Sequence, residues 1–264
     1  MNYKVNGIKQ ILASGRPVIG TWAQMGSPEM VEIVGHAGYD FVIIDAEHGS
    51  FYLETAVQMV RAAEAVGITP IIRIPDKNPS FITRMLDAGI MGIVVPQVNS
   101  SAEVESAVSA ARYHPLGNRG ACPRIRVAGH QAEDWPEFIR WSNENVLVWP
   151  LIEGLDGVNN YSQIIDVPGI DAIMLGPTDL SQAMGLPGQQ QHPAVVAKLE
   201  EMYKMAAAKN IETIAVASAP TPEGIQKLTQ RWLDFGCRII VAGSDRKVAV
   251  DGFKAIVNSV RELF

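Results

Sequence analysis

Four short segments of this sequence carry side chains that could do chemistry together: Asp45-Ala46-Glu47-His48-Gly49, Ile72-Arg73, Ile152-Glu153 and Gly176-Pro177-Thr178-Asp179. Each follows a run of apolar, mostly β-branched residues, so each sits where a strand would end. Glu153 and Asp179 offer hard carboxylate oxygens, the donors that Mg²⁺ or Mn²⁺ takes while keeping other positions for water and a bidentate substrate. Either acid alone reads as readily as an ordinary loop carboxylate, and Asp179 could cap a helix beginning at Leu180. As a pair on neighbouring strand ends they favour the metal. Arg73 at a strand end needs an anionic partner, which a substrate oxyanion or a structural carboxylate would each supply. His48 stands among acids that can orient it and raise its basicity, as a general base requires, and a buried structural histidine is the competing reading.

The elements that must position these groups repeat along the whole chain. Strands are expected at 17–21, 41–45, 70–74, 91–95, 146–152, 171–175, 213–217 and 238–242. Their nearly continuous Val, Ile and Leu content is that of parallel strands covered on both faces. Between them lie amphipathic stretches such as Leu53, Ala56, Val57, Val60, Ala63 and Val66, whose spacing sets one apolar stripe against a sheet. Ser27-Pro28-Glu29, Asn78-Pro79-Ser80 and Thr221-Pro222-Glu223 read as helix starts, with a capping side chain and then proline. Gly35, Gly67, Gly89 and Gly236 are expected near helix ends in the left-handed conformation. Eight βα units in one domain over 1–264 predict a (β/α)₈ barrel, with a doubly wound sheet as the alternative. Barrel active sites lie at the C-terminal mouth, where all four segments would converge. The segment 116–145 breaks the rhythm: it is rich in Arg and Gly, holds a short helix around 135–142, and is long enough to be functional.

Composition excludes several classes. Twenty-two basic against 28 acidic residues give a formal charge of −6, so no long-range attraction draws the chain to nucleic acid or an anionic membrane. No apolar run approaches the ~18 residues of a membrane span, and no signal peptide is indicated. Two cysteines, Cys122 and Cys237, are too few for a disulfide framework and suit a reducing cytoplasm. All nine lysines miss the expected strands, which disfavours a Schiff-base aldolase; only Lys77 and Lys247 fall on nearby loops. No nucleophile elbow, metalloprotease helix, P-loop or dinucleotide fingerprint occurs.

Taken in order, Asp45-Ala46-Glu47-His48-Gly49, Ile72-Arg73, Leu86-Asp87-Ala88-Gly89, Ile152-Glu153-Gly154 and Leu175-Gly176-Pro177-Thr178-Asp179-Leu180-Ser181 resemble the HpcH/HpaI family of class II pyruvate-dependent aldolases. The resemblance covers almost the whole chain. It implies a barrel enzyme that uses Mg²⁺ or Mn²⁺, with Co²⁺ also accommodated, to make or break a carbon–carbon bond beside an oxo acid such as pyruvate. Carried over by position, Glu153 and Asp179 would hold the metal, and the amides near Gly176, Pro177 and Thr178 the oxo-acid carboxylate. His48 would be the base, Asp87 would raise its basicity, across a subunit boundary if need be, and Arg73 would stabilise the enolate-like transition state. Asp45 would organise metal-bound water and the second substrate, an aldehyde. The resemblance also implies a homo-oligomer, a hexamer built as a trimer of dimers that exchange a terminal helix within 248–264.

Two positions depart from the family pattern. Ala46 replaces a glycine. Leu151 stands where several relatives place a glutamine on the oxo acid, and leucine cannot replace its hydrogen bonds. The leading expectation is cleavage of a 4-hydroxy-2-oxo acid to pyruvate and an aldehyde. Leu151 keeps open a citrate-forming condensation or oxaloacetate decarboxylation through the same enolate. A third expectation is an oxo-acid-binding barrel without catalysis. Arg119, Arg124 and Arg126 in the 116–145 excursion would suit an acidic substrate if that loop lined the pocket.

Overall fold

A computed structural model describes residues 3–264. The chain runs Gly7–Ala13 (α1), Val18–Ala23 (β1), Pro28–His36 (α2), Phe41–Asp45 (β2), Leu53–Val66 (α3), Thr69–Arg73 (β3) and Pro79–Ala88 (α4). It continues through Gly92–Val95 (β4), Ser101–Ala111 (α5), Trp135–Asn145 (α6), Leu147–Ile152 (β5), Leu155–Asn159 (α7), Tyr161–Ile164 (α8) and Ala172–Leu175 (β6). Pro177–Ala183 (α9), Pro193–Ala208 (α10), Glu212–Ala217 (β7), Pro222–Asp234 (α11), Ile239–Ser244 (β8) and Asp245–Arg261 (α12) complete it. The eight strands are parallel and close in sequence order, β8 pairing with β1, which is the (β/α)₈ barrel. Every expected strand is present, and β2 keeps its expected limits.

Local chemistry accounts for the boundaries. Ser27, Asn78 and Thr221 each accept a backbone N–H at the start of α2, α4 and α11, with proline next in line. Gly67, Gly89 and Gly236 take positive φ after helices as expected. Gly35 does not: it lies inside α2, and Gly38 makes the left-handed turn instead. A Cβ on Gly35 would come within 2.3 Å of Val66 Cγ2, so the glycine lets α2 and α3 pack closely.

The core has two layers. Val42, Ile44, Ile72, Ile93, Val148, Ile173 and Ala215 point outward against the helices. Phe41, Ile43, Ile71, Val94, Trp149, Leu151, Met174, Ile214 and Val241 fill the barrel itself, together with Ile8, which α1 inserts from the base. Asn6 ties α1 there by donating its Nδ2 to the carbonyls of Met91 (3.0 Å) and Asn145 (2.8 Å).

Candidate active site

The inner layer dictates what stands at the mouth. Side chains alternate across a strand, so each inward apolar series is continued two residues on by a group that faces the same interior. Phe41 and Ile43 lead to Asp45, Ile71 to Arg73, Trp149 and Leu151 to Glu153, and Ala172 and Met174 to Gly176. Asp45 and Arg73 are also register partners between β2 and β3. Four of the predicted residues, Asp45, Arg73, Glu153 and Gly176, are thereby brought to one rim, with Asp179 in the first turn of the helix after β6.

Asp45 is fully buried and is gripped side-on: Arg73 donates Nε to Oδ1 (2.8 Å) and Nη2 to Oδ2 (2.6 Å). Gln24 adds its Nε2 to Oδ2 at 2.9 Å, and the backbone N–H groups of Glu47 and His48 reach Oδ1 at 3.2 Å. Burial works to raise the carboxyl, but the hydrogen bonds and charge of Arg73, with Gln24 and the His48 amide, hold Asp45 below the usual carboxylate range. Arg73 in turn lies 3.0 Å from Glu47 Oε2 and 4.5 Å over the Trp22 ring, so its partners are structural carboxylates of the site itself.

Glu153 behaves in the opposite way. It is 6% exposed, and its carboxyl is pushed up to about 7 by burial first, with the charges of Asp179 and Glu47 adding to the rise. The Gln97 backbone N–H, 2.9 Å from Oε1, and Arg73 act against it without overcoming it. Gln97 holds φ 50 to make that contact, and its side-chain Nε2 donates to Glu47 Oε1 at 3.0 Å. Glu47 Oε2 is buried in its ion pair with Arg73 Nη1. Gly176 leaves room for the Glu153 head: a Cβ there would stand 2.8 Å from Oε2. Glu153, Asp179 and Glu47 crowd around one cation, Arg73, which Asp45 also holds, and this excess of negative charge fits a divalent cation on Glu153 and Asp179.

The remaining predicted residues are placed as follows. Leu151 is buried in the interior beneath Gly176, an apolar floor without hydrogen-bonding capacity. The Gly176 N–H is spent on the Ile152 carbonyl, which leaves the first-turn amides of Thr178 and Asp179, after Pro177, to face a ligand. His48 is exposed at the rim; the neighbouring acid Asp45 fixes its backbone, not its ring. Asp87 lies near the C-terminal end of α4, at the base of the barrel, where Arg119 donates to it at 2.7 Å. Within one chain it cannot reach His48.

The excursion is a correction. It connects a helix to a strand, so it runs beneath the barrel, not over the mouth; Arg119 is occupied there by Asp87 and Arg126 by Glu64 and the Ala88 carbonyl, while Arg124 is exposed. A cavity of about 690 Å³ opens at that base, lined among others by Arg126, His130 and Trp141, with none of the mouth carboxylates. Sequence reasoning assigned no role to Gln24, Trp22, Glu47 or Gln97. Glu47 and Gln97 were visible as polar residues directly after strands; Gln24 and Trp22 carried no signal of their own.

A closed parallel barrel with carboxylates, an arginine and a histidine gathered at its C-terminal mouth is the architecture of the barrel enzymes. Within that class the chain belongs to the HpcH/HpaI aldolase/citrate lyase family, whose pattern matches residues 18–252. It is 32% identical over 255 residues to a 4-hydroxy-2-oxo-heptane-1,7-dioate aldolase of Salmonella arizonae, covering 95% of this chain and 93% of that one. The HpcH/HpaI aldolase of Desulfitobacterium hafniense superposes with a TM-score of 0.91 at 27% identity, over 98% of both chains. The citrate synthase SbnG superposes at 0.87 with 30% identity, over 97% of this chain and 98% of its own. The protein is accordingly a carbon–carbon lyase of the aldolase type.

Proposed function

We propose that the protein cleaves a 4-hydroxy-2-oxo acid reversibly into pyruvate, or a close oxo acid, and an aldehyde, with Mg²⁺ or Mn²⁺ on Glu153 and Asp179. The observation that carries this is Glu153: a buried carboxyl raised to about 7 beside two further acids, opening toward the first-turn amides of α9. A divalent cation there would polarise the 2-oxo group and stabilise negative charge developing on it. Thr178 and Asp179 N–H groups hold the substrate carboxylate, and Leu151 packs under the oxo acid. His48 takes the proton from the 4-hydroxyl, the bond between the third and fourth carbons breaks, and the aldehyde departs. The proton then returns to what becomes the pyruvate methyl group. Arg73 keeps Asp45 ionised and oriented toward the hydroxyl end. In the assembled protein, Asp87 serves the His48 of a neighbouring subunit.

The test separates chemistry from binding. In deuterated water with Mn²⁺, the NMR signal of the pyruvate methyl group should decay in the native protein. It should persist with EDTA and slow by about 10²-fold or more in His48→Ala. Exchange that ignores both changes overturns the reading. Leu151 and the likeness to SbnG support one second reading, condensation or decarboxylation with oxaloacetate. Turnover of oxaloacetate without any aldehyde would favour it.

The chain is proposed to work as a homo-oligomer, a hexamer formed as a trimer of dimers that exchange α12. Residues 250–264 are all exposed, and Phe253, Ile256, Val257 and Val260 form a bare apolar stripe at helical spacing. Ile19, on the outward face of β1 where a helix after β8 would cover it, is 41% exposed. Light scattering should give six chain masses for the native protein and smaller species for Phe253→Glu/Ile256→Glu. A native monomer would rule the arrangement out. Two unpaired cysteines, Cys122 and Cys237, fit the reducing cytoplasm proposed as its location. Among the described residues no helix is long and apolar enough to cross a membrane.

A further inference from the structure

Most of the arginines described so far are matched by acids. Arg73 faces Asp45 and Glu47, Arg119 faces Asp87, and Arg126 faces Glu64. Arg246, the second residue of α12, is exposed at the mouth and pairs with no carboxylate among the described residues. Its partners are uncharged oxygens. Nη1 donates to the His48 carbonyl at 3.3 Å, and Nη2 to the Gln24 carbonyl at 3.1 Å and Ser50 Oγ at 3.5 Å. Asp245 beside it does not neutralise the charge. That carboxylate is buried and accepts the backbone N–H groups of Gln24 (2.9 Å), Met25 (2.8 Å) and Arg246 (2.7 Å). The guanidinium is thus held in place across the loops after β1 and β2, while its Nε–H and one Nη1–H stay open.

We infer that Arg246 recognises a carboxylate at the far end of the aldehyde half of the substrate. The inference rests on the proposed aldolase reaction. If His48 takes the 4-hydroxyl proton, the fourth carbon and everything beyond it lie alongside His48, and Arg246 grips the carbonyl of that residue. Asp45 and Glu47, at the end of β2 and just after it, and Asp245 beside Arg246 are acids that would repel a second carboxylate. A cation already oriented by neutral acceptors offsets that repulsion at little entropic cost. The arginines of the 116–145 excursion cannot do this for their own mouth, because that segment joins α5 to β5 at the opposite end of the barrel. The substrate class selected is an oxo acid whose aldehyde portion carries its own carboxylate.

The experiment compares two acceptors of similar length in Mn²⁺-dependent condensation with pyruvate: 4-oxobutanoate, which is anionic, and pentanal, which is not. The native protein should prefer 4-oxobutanoate. In Arg246→Met the ratio of kcat/KM values, anionic over neutral, should fall about 10- to 100-fold, mainly through KM for 4-oxobutanoate. Arg246→Lys should restore part of it, and added salt should shrink the native ratio. An unchanged ratio in Arg246→Met overturns the inference, including the case in which both acceptors slow together because the arginine only braces the His48 loop. Pyruvate methyl exchange, which involves no acceptor, reports separately on the reaction. Exchange in the native protein with an unchanged ratio rejects the role of Arg246 alone, and no exchange rejects the aldolase reading together with it.

Discussion

Glu153→Gln is expected to abolish Mn²⁺ binding at millimolar metal and to lower turnover by about 10³-fold, the equivalent of roughly 4 kcal/mol of transition-state stabilisation. The amide keeps the shape of the side chain and loses the charge a hard dication requires. Because the native carboxyl is crowded by Asp179 and Glu47, the substitution relieves repulsion, so the metal-free variant should fold at least as well as the native chain above pH 7. The pH dependence follows with a definite sign. The folded-state value of about 7 lies above the ordinary 4.5, so between those limits the folded protein holds a proton that the unfolded chain has released. This group therefore costs the metal-free protein stability as pH rises through that window, at most about 1.4 kcal/mol per pH unit. Metal affinity moves the other way, since the ligand must be ionised. Scanning calorimetry from pH 5 to 8 should show the native protein losing stability relative to Glu153→Gln without metal, and gaining an increasing shift on adding Mn²⁺. Parallel pH curves for the two proteins, or a metal shift independent of pH, would contradict the assignment.

The fold was legible because it rests on local signals. Parallel strands buried on both faces must be continuously apolar, and a capping side chain followed by proline must begin a helix; both statements hold residue by residue at β2 and at Ser27, Asn78 and Thr221. Gly35 was misread because its reason, the approach of Val66, lies 31 positions away and leaves no local mark. The excursion could have been placed correctly: in a βα alternation, whatever joins a helix to the next strand lies at the base. Its composition, rich in arginine, outweighed that rule. At the site, Asp45, Arg73, Glu153 and Asp179 were visible because strand ends converge in a barrel. Their charge states were not, since burial and neighbours drive Asp45 down and Glu153 up although both are strand-end acids. Arg246 was invisible for a related reason: contacts with Gln24, His48 and Ser50 join three distant stretches of chain.

Replacing Arg73 should do two separable kinds of damage. Arg73→Met leaves Asp45, fully buried, without its fork of two hydrogen bonds, and leaves Glu47 facing Glu153 without the intervening cation. Removing one partner of a buried pair costs about 3–5 kcal/mol, which for a chain of this size lowers the melting temperature by roughly 10 °C. Because Arg73 also acts to lower the Glu153 carboxyl, its loss should weaken Mn²⁺ binding near neutral pH. Arg73→Lys keeps the charge but cannot donate side-on to both Asp45 oxygens or stack flat over Trp22, so it should recover much of the stability and little of the turnover. A double variant, Arg73→Met with Asp45→Asn, discriminates further. Neutralising the stranded carboxylate should return part of the lost melting temperature, whereas activity should stay at the level of the single variant, because Arg73 acts on the substrate hydroxyl only through Asp45. If the two substitutions instead add in full for stability, the pair is not coupled, and the rim would have to be held together by Gln24 and the backbone amides of the loop after β2 alone.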